Sequence, residues 1–122
     1  MIANYSFDID PAHRVVRIRL AGFFGAAEVA GFATALARAQ ASMPRASSRH
    51  LTLCDISACK IQLQDVVDGF RKLIEDPALM SRRIAFVTGG SPAKMQIRRL
   101  VTRDNARVFE TTEAAESWLL SA

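Results

Sequence analysis

Tyr5-Ser6-Phe7-Asp8-Ile9-Asp10-Pro11-Ala12-His13-Arg14-Val15-Val16-Arg17-Ile18-Arg19-Leu20-Ala21-Gly22 is the stretch that decides the fold. Val16, Ile18 and Leu20 alternate with Arg17 and Arg19, a period of two that puts apolar side chains on one face of a strand and arginines on the other. Tyr5–Ile9 reads as a shorter strand before it, and Asp10-Pro11-Ala12-His13 as a turn. So few residues join the two strands that they must pair as an antiparallel hairpin. Gly22 ends it.

Outward from the hairpin the period changes to that of a helix. Gly25 is placed to cap it, with Glu28 in the first turn, where a negative charge suits the helix dipole. Val29, Phe32, Ala33, Leu36 and Ala39 then recur at helical spacing in an alanine-rich run to about Ala41. Gln40 falls on the same stripe, so the apolar face is expected to run out there. The segment from Ser42 to Arg49 reads as a connection.

His50–Asp55 is expected to be a strand, with Leu51 and Leu53 facing one way. A helix over Leu63–Glu75 follows, with Leu63, Val66, Val67, Phe70, Leu73 and Ile74 buried, and Asp76-Pro77 closes it. Arg83–Thr88 contains Ile84-Ala85-Phe86-Val87, apolar on both faces, and so belongs inside a sheet. After Gly89-Gly90, Ser91 is a good N-cap and Pro92 a good first residue for a helix to about Arg103, with Ile97, Leu100 and Val101 inward. Arg107–Phe109 is a short last strand, and Thr111 or Thr112 caps a final helix that buries Ala115, Trp118 and Leu119.

The order is ββαβαβαβα. It implies an α/β fold: a mixed, mostly parallel five-stranded sheet with four packed helices, in one domain over residues 1–122. The polar–apolar alternation of strands two and three implies that an outer strand has a wet or thinly covered face.

Composition narrows the function classes. Half of the 122 residues are hydrophobic and 23% are charged, as in globular chains. No apolar run approaches the about 20 residues that span a bilayer, so stable membrane insertion is not expected. Met1–Asp8 lacks a basic segment followed by an apolar one, so a cytoplasmic location is expected. Cys54 and Cys59 form no CxxC pair and read as reduced, apolar side chains. His13 and His50 have no partner at metal-ligand spacing, so neither metal nor cofactor is expected. The net charge of +4 owes much to Arg82, Arg83, Lys94, Arg98, Arg99, Arg103 and Arg107. No aromatic is interleaved with them, which suits a solvated basic face better than a nucleic-acid site.

With the hairpin first, this order resembles the STAS family, whose best-known members are bacterial anti-sigma-factor antagonists of the SpoIIAA type. The carrying residues are Leu53-Cys54-Asp55-Ile56-Ser57 at a strand end and Leu63-Gln64-Asp65-Val66 at a helix start, with Gly22 and the alanine-rich ending at Ala114, Ala115, Trp118 and Leu119. The resemblance implies a non-enzymatic regulatory module that docks on a partner protein through Asp55, Ser57, Gln64 and Asp65. The chain departs from the family where the antagonists carry a phosphorylated serine or threonine: Gln64 and Asp65 stand there, and Val66 replaces a glycine. It is similar to a divergent member without the phosphorylatable serine.

Each candidate has an ordinary reading beside the functional one. Asp65 in a first helical turn is favourable by about half a kcal/mol; alternatively it stands in for a phosphoserine, with less charge and fewer acceptor oxygens. Asp55 either marks a strand-end crevice or caps a turn through Ser57 or a backbone amide. Gly89, Gly90, Ser91, Lys94 and Arg98 form either an anion-binding turn or a plain tight turn, and they lack the Walker spacing. Phe24 reads as a staple against the first helix, with Phe23 beside it either buried or exposed to a lipid or partner. No GxSxG motif or suggestive carboxylate pair points to catalysis. The alternative to docking is a carrier or sensor of a small apolar or anionic ligand. An incompletely covered edge would also suit a homodimer.

Overall fold

A computed structural model describes residues 2–43 and 50–121. The elements are β1 (Asn4–Asp10), β2 (Val15–Gly22), α1 (Ala26–Ala41), β3 (Leu51–Cys59), α2 (Gln64–Glu75), β4 (Arg83–Val87), α3 (Lys94–Leu100), β5 (Ala106–Phe109) and α4 (Thr112–Leu120). A 3-10 turn, Pro77–Leu79, follows α2. The strands lie in the order β1-β2-β3-β4-β5, with β1 antiparallel to β2 and every later pair parallel. This is the α/β architecture that the hairpin and the alternating elements imply.

The two faces of the sheet differ in chemistry from row to row. Phe7, Ile18, Cys54, Phe86 and Val108 are register partners across all five strands. With Leu20 and Ile56 they build an apolar face under α1, α2 and α3. Tyr5, Phe7, Phe24, Phe32 and Phe70 meet there with ring centroids 5.4–6.0 Å apart. On the opposite face, Asp8 and Arg17 are partners of Leu53 and Ala85, and Ser6 and Arg19 of Asp55 and Val87. That face turns from charged to apolar as it crosses the sheet. The single helix α4 packs on its apolar part, burying Ala115 and Leu119 against Leu51, Leu53, Ala85 and Val87. The thinly covered outer strand is thus β1 with its neighbour β2.

Local chemistry sets the boundaries. Gly25 caps α1, and its N–H donates to Glu28 Oε1 (2.8 Å). Thr111 caps α4 by accepting from the Ala114 N–H (3.2 Å). Gly22 has φ +86°, and a Cβ there would come within 2.3 Å of the Ile2 carbonyl oxygen, so only glycine lets the N-terminal segment close over the strand.

Several expectations are corrected. Strand β3 runs to Cys59 rather than Asp55, because after a register shift at Arg19/Ala21 it keeps pairing with β2. Helix α3 is shorter at both ends than Pro92–Arg103: Ser91–Ala93 form a turn and Val101 is extended, so the chain can reach β5. Val101 is half-buried, and so is Trp118. Leu63 precedes α2 and is exposed, so the buried stripe of that helix begins at Val66. Gln40 continues the α1 stripe instead of ending it, buried with its Nε2 donating to the Leu79 carbonyl (3.0 Å). Within the expected Ser42–Arg49 connection, Met43 is core and residues 44–49 lie outside the described residues. Among the described residues no helix is long and apolar enough to cross a membrane.

Candidate functional site

The site residues expected from sequence gather at the C-terminal end of the parallel strands, in two groups. Asp55 and Ser57 alternate with inward Cys54 and Ile56, and so lie on the α4 face of the sheet. Asp55 Oδ1 accepts the Ser57 N–H (2.9 Å), the turn-capping contact. Gln64 and Asp65 open α2, in the layer on the other face. Asp65 Oδ1 accepts the Val66 N–H (2.9 Å), and Gln64 Nε2 donates to Asp68 Oδ1 one turn on (3.1 Å). Both side chains remain exposed.

The Gly89–Arg98 segment adjoins the first group. Gly89 has φ +49°, and a Cβ on it would stand 3.1 Å from that of Ser57. Ser91 is not the N-cap of α3: its hydroxyl donates to the Cys59 carbonyl (2.8 Å) and accepts the Ala93 N–H (3.0 Å). Lys94 forms an ion pair with Glu110, whose carboxyl it holds below the usual range. Arg98 is exposed.

Gln62 is the residue that knits this end together, and no spacing marks it in the sequence. Its Oε1 accepts the Phe24 N–H (2.8 Å), and its Nε2 donates to the carbonyls of Gly22 (2.9 Å) and Lys60 (2.6 Å). Its backbone exchanges two hydrogen bonds with the Gln96 side chain (2.9 and 2.8 Å). Because Gln62 turns inward in extended chain, Ile61 and Leu63 on either side turn out, each 58% exposed. Phe23 is 40% exposed and bridges to Ile2, while Phe24 is fully buried with its ring against Phe70. Phe24 therefore packs against α2 rather than serving only α1.

Between the sheet and α1–α3 lies a cavity of about 120 Å³, lined by Ile18, Leu20, Cys54, Phe86, Ile97 and Leu100 among others. Cys54 and Cys59 face it as free thiols. Burial pushes the Cys59 thiol up to about 12 and that of Cys54 higher still, so both stay protonated and unreactive. At the far end of the cavity Ser81 Oγ lies 3.0 Å from His50 Nε2 and also bonds the Thr52 hydroxyl. Sequence separation of 31 residues hid that pairing. Among the described residues no group of three or more His, Cys, Asp or Glu side chains is placed to hold a metal.

No family model matches the chain, and no curated protein matches it in sequence. Solved structures do. One is an uncharacterised protein of the DUF3478 family from Shewanella loihica PV-4, described as having a SpoIIAA-like fold; it is 15% identical, with a TM-score of 0.72 over 98% of this chain and 96% of that one. Another is an anti-sigma factor antagonist from Mycobacterium paratuberculosis, 15% identical, with a TM-score of 0.59 over 95% of this chain and 94% of the other. At such identity the likeness is one of backbone architecture, and it agrees with what Asp55-Ile56-Ser57 and the leading hairpin suggested: this chain has the SpoIIAA-like fold.

Proposed function

We propose that the chain is a non-enzymatic regulatory module that docks on a partner protein at the C-terminal end of its sheet. The carrying observation is the exposed apolar set Ile2, Phe23, Ile61 and Leu63, next to the polar pair Gln64 and Asp65. The backbone bond from the Lys60 N–H to the Gly22 carbonyl (3.0 Å) and the Ile2–Phe23 bridge hold the segments that carry these side chains together. Large apolar side chains grouped in this way and rimmed by polar ones are the usual make-up of a binding surface. Asp65 supplies a fixed negative charge on the rim, and Asp55 and Ser57 extend the surface towards α4. Gly89, Gly90, Ser91, Lys94 and Arg98 border it and would meet an anionic group of the partner, chiefly through Arg98. The fold shared with an anti-sigma factor antagonist supports a protein as the partner.

The test is a cross-linked pull-down from lysate of the source organism with wild type, Asp65→Lys and Leu63→Ser, each first shown to melt like wild type. One protein captured by wild type and lost with both variants is the expected result. Capture that neither variant weakens, or no specific capture, overturns the reading. Sedimentation of the purified chain tests a second copy as the occupant. A dimer that Leu63→Ser dissociates would make the surface a homodimer interface.

A further inference from the structure

We propose that the interlayer cavity takes a small amphiphilic monocarboxylate, with its apolar part against Ile97 and Leu100 and its carboxylate on Arg103. This site is separate from the docking surface, and neither reading depends on the other. A cavity of about 120 Å³ is close to the size of an engineered apolar cavity that binds benzene, so the buried part of the ligand is about six carbons.

The polar groups that line the cavity are nearly all committed elsewhere. Gln62 and Gln96 bond each other at one end. At the other end Gln40 donates to Leu79, Thr52 pairs with Ser81, and Asn105 Nδ2 donates to the Ser81 carbonyl (3.2 Å). Among the described residues, Arg103 is the one charged residue in the lining. It is half-buried, and among the described residues its guanidinium meets only the Met80 thioether (Nη1 to Sδ, 3.1 Å). Sulfur is a weak acceptor, and a guanidinium carries five donors. Among the described residues the ion pairs involve Arg17, Arg71, Lys94 and His13, and none reaches Arg103.

A cation at the rim of an apolar chamber selects for charge as well as for size. The planar fork of a guanidinium matches one carboxylate in bidentate fashion. A phosphate would bring a second negative charge, with no second cation among the described lining residues to meet it. A neutral ligand would leave the guanidinium as it is, on the Met80 sulfur.

Titration of the isotope-labelled full chain with sodium hexanoate and, separately, 1-hexanol tests this by NMR. Hexanoate is expected to shift the Ile97 and Leu100 methyl signals and to leave that of Leu119, on the opposite face, in place. Arg103→Gln is expected to weaken hexanoate about tenfold while hexanol affinity changes by less than about twofold. The inference is overturned if hexanoate does not bind, if it shifts Leu119 rather than Ile97 and Leu100, or if Arg103→Gln weakens both probes alike. Arg103 is half-exposed, so the variant folds, and its melting curve verifies this.

Discussion

The two faces of one sheet are stabilised by different means. Under α1–α3 the strands present an unbroken apolar row, and Tyr5 and Phe7 of β1 join the rings of Phe24, Phe32 and Phe70 beside a cavity. Under α4 they present a gradient, apolar at β3 and β4 and charged at β1 and β2. There Arg17 binds Glu116 through two donors (2.7 and 3.1 Å) and Asp10 through a third (3.2 Å). Burial holds the first face together. The second combines a small apolar patch with solvent-screened ion pairs. A sheet can therefore leave one face thinly covered if its outermost strands carry charge, which also discourages pairing with another chain.

Truncation on each face is the largest test of that contrast. Phe24→Ala removes a fully buried ring beside the cavity and is expected to cost about 4 kcal/mol in urea unfolding. Leu119→Ala, on the smaller patch, is expected to cost about 3 kcal/mol. A larger loss for Leu119 would reverse the ranking of the faces.

The charged end offers a smaller effect with a sign. His13 beside Asp10, with Arg17, holds the Asp10 carboxyl down at about 2, and Arg17 lowers that of Glu116. A depressed folded pKa contributes stability that is present above the unfolded value, 3.8 for Asp10, and is lost as pH falls through the folded one. Melting temperature should therefore fall between pH 4 and pH 2. Arg17→Met should flatten that fall while costing under about 1 kcal/mol at neutral pH. An equally steep fall in the variant would show that the Arg17 pairs do not contribute to the acid limb, the His13–Asp10 contact being untouched.

The smallest effect sharpens the picture of the closed face. Native Cys54 and Cys59 should resist a thiol reagent at pH 8 and react fully in urea, because both are buried and their pKa values are raised. Rapid native labelling would mean that the cavity opens readily to solvent.

The sequence pattern made the strands legible because alternation is local: Val16, Ile18 and Leu20 announce their face within six residues. The helix stripes were mostly legible for the same reason. What it could not show depends on residues that meet from afar. Ser91 looked like a cap, but its hydroxyl is drawn to Cys59, and α3 starts later. Leu63 fits the α2 stripe by spacing, yet inward Gln62 turns it out. Of the site, Asp55 and Ser57 were readable as a capped turn. Gln62, the Ser81–His50 contact and the cavity-lining Arg103 were not, since neither spacing nor composition distinguishes a glutamine or arginine that lines a cavity from one in solvent.

The chain has one tryptophan and one tyrosine, and each reports on a different face. Trp118 sits on the α4 side, with the guanidiniums of Arg83 and Arg107 4.7 and 5.4 Å from its ring centre. Tyr5 lies in the aromatic cluster on the other side, 5.4 Å from Phe32. Intrinsic emission therefore divides the molecule optically: indole fluorescence follows the undocking of α4, and phenol fluorescence follows the loosening of α1 from the hairpin.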